Sequence, residues 1–134
     1  MLTIGVDDLE RAARFCRDGL GLHTAGIVGA EFETGAVVFF DLQPGLRPVL
    51  WPRAGIVRDA GLRRDAASAI EFTIGHYVSS PARVDAVMEQ ARIAGAVIVK
   101  PARETFRGGC AGCLQDPDRH LWEVVWNPQL LPAD

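Results

Sequence analysis

The sequence predicts an α+β fold of two β-α-β-β-β modules paired around a cleft, and three observations carry that prediction. An amphipathic helical segment occurs once in each half, near residues 7–21 and 80–95. Each is preceded by one strand-like segment and followed by three. The final strand, residues 121–126, is apolar on both faces apart from a single carboxylate. The repeat is one of pattern more than of letters, and an unrelated α+β sandwich fits the same periodicity.

The elements follow in order. Residues 2–6 make a short strand, and Asp7 then stands as a helix N-cap with Glu10 three residues on. Leu9, Ala13, Cys16 and Leu20 form the apolar stripe, and Gly19 or Gly21 ends the helix. Strand candidates at about 25–28, 35–43 and 46–52 complete module 1, about residues 1–52. Residues 53–68, "RAGIVRDAGLRRDAAS", are charged and lack clear periodicity, and read as a linker or exposed arm, in part helical. Module 2, about residues 69–128, opens with a strand in "AIEFTIGHYVS". Ser80 caps the next helix, Pro81 takes its first position and Gly95 ends it, with Val84, Val87, Met88 and Ala91 facing inward. "VIVKPARE", a Gly- and Cys-containing segment near 109–115, and "HLWEVVW" supply three more strands.

The bulk numbers bound the function. A chain of 134 residues can form one domain, 1–134, with a real core. No apolar run approaches the ~18 residues that span a bilayer. The N-terminus has no basic-then-apolar leader, so cytoplasmic residence is the default expectation. A net charge of −3 with scattered basic residues argues against nucleic acid as a partner. The three cysteines include Cys110-Ala-Gly-Cys113, but strand alternation sends those two thiols to opposite faces. A redox pair needs a helix N-terminus, and a zinc site needs two more ligands nearby. Neither is present in the pattern.

Glu123 is the singular residue. Alternation puts Leu121, Glu123 and Val125 on one face and Trp122, Val124 and Trp126 on the other. Both faces look covered, so this carboxylate must be paired, protonated, metal-bound or open to a water-filled cavity. His76, on "IGHYV", shares a face with Phe72, Ile74 and Val78, where a histidine is more often a core residue than a ligand. Phe39, Phe40, Trp51, Phe72, Tyr77 and Phe106 could line an apolar cleft. Trp51 and Phe106 stand out among them, because each lies at a strand end.

"VDDLERAARFCRDGLGL", "VDAVMEQARIAGAVIVKPA" and "LQDPDRHLWEVVWNP" together resemble the vicinal oxygen chelate superfamily. This group includes glyoxalase I, bleomycin-resistance proteins, fosfomycin-resistance enzymes and extradiol dioxygenases. The resemblance covers nearly the whole chain in order and implies the glyoxalase/bleomycin-resistance-like fold, with modules curled round a cavity, usually in a homodimer. In metal-dependent members a divalent ion is held from several cleft strands. Glu123 falls on the final-strand carboxylate, and His76 is the one other metal candidate. The first-strand position falls near Met1, and residues 46–52 offer no Glu or His. At the start of the fifth strand stand Glu71, Phe72 and Thr73. Arg107 falls where relatives carry a bulky aromatic at the cavity mouth, placed to bind an anionic group or to pair with Glu123. Arg119 replaces a glycine common in the turn before the last strand, which puts a positive φ there in doubt.

The resulting expectation is a small-molecule binding protein with an aromatic cleft lined by Trp51, Phe106, Arg107, Phe72 and Tyr77. It is expected to form a homodimer and to favour no cofactor. The alternative is a metal-dependent lyase or dioxygenase acting on vicinal oxygens, with a divalent metal and with Glu123 as ligand or base.

Overall fold

A computed structural model of the chain describes residues 1–66, 68, 72–106 and 108–130. The chain divides into two compact units, Met1–Ala67 and Ser68–Asp134, and each contains one four-stranded sheet. The first unit runs β1 (Leu2–Val6), α1 (Leu9–Arg14), β2 (Ile27–Val28), β3 (Val37–Phe39), β4 (Pro48–Pro52) and α2 (Arg53–Ala60). A π-helical turn, Phe15–Gly19, prolongs α1. The sheet order is β1-β4-β3-β2, with β1 parallel to β4 and the other pairs antiparallel. Ile4, Val6, Val38 and Leu50 are buried along with Ala12, Ala13, Phe15 and Cys16.

Two expectations change here. The N-cap of α1 is Asp8, not Asp7, and its carboxylate accepts the Arg11 backbone N–H at 2.9 Å. Asp7 instead takes Arg53 at 2.8 Å and Arg64 at 2.6 Å. The hydrogen bond from Arg53, aided by both positive charges, holds the Asp7 carboxyl below its usual range. The second change sharpens the linker reading: its expected helical part is a two-turn helix over residues 53–60 that packs on the sheet. This helix packs on the side of β1 and β4 opposite Ile4 and Val6, where Gly5 and Trp51 are register partners. A Cβ on Gly5 would lie 2.9 Å from Arg53 Cγ, and one on Gly55 would lie 2.7 Å from Trp51 Nε1. Two glycines therefore let the helix and strands approach that closely.

The second unit runs β5 (Thr73–Tyr77), α3 (Pro81–Ile93), β6 (Val97–Glu104), β7 (Cys110–Gln115) and β8 (Leu121–Trp126). Its sheet order is β5-β8-β7-β6, with β5 parallel to β8. Ser80 caps α3 by accepting the Arg83 N–H at 3.2 Å. Val84, Val87, Met88 and Ala91 are buried, as are Leu114, Trp122 and Val124. Burying each large side chain contributes roughly 1.5–3 kcal/mol. The edge strand β6 shifts register between Ile98 and Lys100 and again between Lys100 and Arg103, the second shift spanning Pro101.

The turn before β8 is organised by Asp116. Its Oδ1 accepts the backbone N–H groups of Asp118 and His120, at 2.9 and 3.0 Å. Its Oδ2 accepts Trp122 Nε1 at 3.0 Å and lies 3.1 Å from His120 Nδ1. Arg119 adopts φ 67°, so this turn does use the left-handed region without a glycine.

Candidate functional site

The β5–β8–β7 register decides what surrounds Glu123. Its partner on β7 is Cys113 and its partner on β5 is Gly75. On its own strand Leu121 and Val125 flank it, and this face is half-buried, whereas Trp122 and Val124 on the other face are fully covered. The expectation of a strand covered on both sides therefore holds for one side only.

Glu123 lines a cavity of about 210 Å³ with Thr105, Gly109, Ala111, Val125, Trp126 and Asn127. Among the described residues, no hydrogen bond or ion pair reaches its carboxylate. Among the described residues, no fully buried side-chain nitrogen or oxygen lacks a partner. Its charge is felt by Cys113, whose thiol is pushed up first by burial and then by Glu123, against a smaller opposing pull from Lys100. Of the four fates open to this carboxylate, the described residues show a cavity beside it and no partner or metal-ligand cluster.

His76 pairs with Val124, so it lies on the opposite face of the sheet from Glu123. Burial, reinforced by the charge of Arg83, holds its imidazole below the ordinary histidine value and favours the neutral form. The sheet therefore does not bring His76 and Glu123 to one metal. Among the described residues no group of three or more His, Cys, Asp and Glu side chains converges. A divalent metal needs about three protein ligands on one point, and this donor set does not fit one.

The aromatic candidates are scattered. Trp51 belongs to the first unit, where its Nε1 donates to the Thr34 carbonyl at 2.7 Å. It lines a separate cavity of about 240 Å³ with Pro52, Ala54 and Gly55 of α2. Phe106 sits in the turn after β6 and is 94% exposed. Phe72 lies 6.1 Å, ring centre to ring centre, from His120. Arg107 lies outside the described residues, and so does Glu71. Tyr77 alone joins the Glu123 surroundings. It is two residues from Gly75 on the same strand face, and its ring Cε2 would lie 3.4 Å from a Cβ on Gly75. The free thiols Cys110 and Cys113 fall on opposite faces of β7, as alternation requires.

Sequence reasoning missed Gly75, Ala111 and Thr105 as neighbours of the carboxylate. Alternation alone marks Ala111 and Cys113 as one face of β7, but pairing them with Glu123 requires the register.

The Glyoxalase/Bleomycin resistance protein/Dioxygenase superfamily model matches residues 1–124. The chain belongs to this superfamily. No curated protein matches it. Among solved structures, a glyoxalase-related enzyme from Fulvimarina pelagi is 29% identical with TM-score 0.78, covering 95% of this chain and 86% of that one. A lactoylglutathione lyase from Agrobacterium tumefaciens is 20% identical with TM-score 0.68, covering 95% and 92%. The fosfomycin resistance protein FosX from Listeria monocytogenes, solved with Mn(II) and a dihydroxypropylphosphonic acid, is 21% identical with TM-score 0.65, covering 92% and 84%. The last two share the fold, the α+β architecture expected from the sequence.

Proposed function

We propose that this superfamily member is a small-molecule binding protein whose second unit engages its ligand at Glu123. The observation that carries the reading is the half-buried carboxylate, without a partner among the described residues, on the wall of a 210 Å³ cavity. A ligand donor that reaches such a group gains a charge-assisted hydrogen bond that no described residue supplies. The cavity is of the size that takes a small organic group rather than a macromolecule. We place the protein in the cytoplasm as a homodimer, acting without a resident metal, because the donor set around Glu123 does not converge.

The test is a thermal-shift screen of small polar aromatics and amines against the wild type and Glu123→Gln. Ligands that raise Tm for the wild type and not for the variant support the reading, since binding to the folded state stabilises it. A screen in which every stabilising ligand acts equally on both proteins overturns it. Calorimetric titration of untagged protein with manganese, nickel, zinc and iron should show no one-to-one binding that depends on Glu123. Tight binding lost in Glu123→Gln would instead favour a metal-dependent lyase or dioxygenase, the class suggested by Mn(II) in the FosX structure. Sedimentation showing only a monomer at micromolar concentration would remove the dimer.

A further inference from the structure

The cavity of about 240 Å³ in the first unit lies between α2 and the turn that precedes β3. One wall is the indole of Trp51, which is half-buried and held in place at its pyrrole edge. Its Nε1 donates to the Thr34 carbonyl at 2.7 Å, and Gly55 packs so closely that a Cβ there would lie 2.7 Å from Nε1 and 3.3 Å from Cδ1. The ring is therefore positioned before any ligand arrives. Pro52, Ala54 and Ala36 add small apolar walls that leave the space open. Glu33 on the turn and Arg58 on α2 also line the cavity, and their side chains are 72% and 63% exposed, which puts them at its mouth. They pair with each other at 2.6 Å.

We propose that this cavity is a second binding site, separate from Glu123, for a small neutral ligand built on a planar aromatic ring. Its volume suits a group of one or two rings rather than a drug-sized molecule. A flat ring buries apolar surface against Pro52 and the alanines and stacks on a Trp51 indole that is already fixed. Charge adds nothing to that. Glu33 and Arg58 neutralise each other, and a ligand ion that replaced either would trade one exposed, weak ion pair for another. The hydration lost by that ion would count against it.

The test is an NMR titration of the full chain, followed at the Trp51 indole N–H and the Gly55 amide. Benzyl alcohol, benzoate and benzylammonium share a ring and differ in charge, and cyclohexylmethanol is neutral but puckered. Benzyl alcohol should shift both signals and bind roughly fivefold or more tightly than each of the other three. Ala54→Leu, at an exposed helical position that lines the cavity, should keep the remaining amide spectrum and lose the shifts. Benzoate or benzylammonium binding as well as the alcohol overturns the neutral class. Equal binding of cyclohexylmethanol overturns the planar ring. Shifts that persist in a folded Ala54→Leu protein, or that are absent with all four probes at millimolar concentration, overturn the site itself. The wild-type probe series decides the proposal alone if that variant misfolds.

Discussion

Trp51 and Glu123 occupy the same register position in two sheets of the same order, each across from a glycine on the parallel first strand. The first position is crowded, although Trp51 also lines a cavity of about 240 Å³. Helix α2 packs over it, Arg53 fills the notch at Gly5, and the indole N–H is tied to Thr34. The second is open, with a half-buried carboxylate and a cavity beside it. What differs is the segment that follows: β4 runs directly into α2, whereas the described residues after β8 form a turn at 128–130. The register position itself is neutral about function. What packs on it holds Trp51 in place in one copy and leaves Glu123 half-buried in the other.

The largest expected effect comes from truncating the two equivalent residues. Trp51→Ala should cost about 3 kcal/mol in urea denaturation, from lost burial and the lost Thr34 hydrogen bond. Glu123→Ala should stay within about 0.5 kcal/mol, because none of the described residues pairs with it. A loss of several kcal/mol at Glu123 would reveal a structural ion pair and erase the distinction between the sites. Next come the glycines. Gly5→Val must displace Arg53 and should cost about 2 kcal/mol, whereas Gly75→Val should be neutral or stabilise by about 0.5 kcal/mol. Equal penalties at both positions would mean that the second notch is as full as the first.

A smaller effect isolates the Asp7 ion pairs. Asp7→Asn should cost about 1 kcal/mol, since Asp7 and its Arg64 partner are well exposed while Arg53 is largely covered, and should speed amide exchange in α2. Because pairing lowers the folded-state pKa of Asp7, its contribution is complete above the ordinary value of 3.8 and is lost as pH falls through the lowered one. The wild-type advantage over Asp7→Asn should accordingly disappear in strong acid. The smallest effect concerns the turns that feed the two fourth strands. Gly45 supplies a positive φ of 85° before β4, and Arg119 supplies 67° before β8. Arg119→Gly should therefore stabilise by about 0.5 kcal/mol, measured by the midpoint of chemical denaturation.

Much of the fold was legible because its signals are local. Ser80 followed by Pro81, the Val84–Val87–Met88–Ala91 stripe, and the strand at residues 97–104 each announce themselves within a dozen residues. The cap of α1 was misplaced by one residue because Asp7 and Asp8 are chemically alike. What separates them is the pull of Arg53 and Arg64, far along the chain. Helix α2 was obscured because part of its packing face is Gly55, which no hydrophobic pattern registers. At the site, Glu123 was visible as a lone acid on an apolar strand. That His76 falls on the other face follows only from the β5–β8 pairing, which neither strand states alone. The openness of Glu123 depends on which residues are not beside it, and that is a property of register.

The interrupted edge of the second sheet bears on how this protein behaves in a crowded solution. Strand β6 is eight residues long, and Val97 and Val99 are more than half exposed, the profile of an edge that recruits foreign strands. Pro101 has no N–H to offer, and the two register shifts break the regular spacing that an incoming strand would need to follow. The edge is thus apolar but a poor template, which protects the chain from runaway sheet extension. Replacing Pro101 would remove that protection without touching the core.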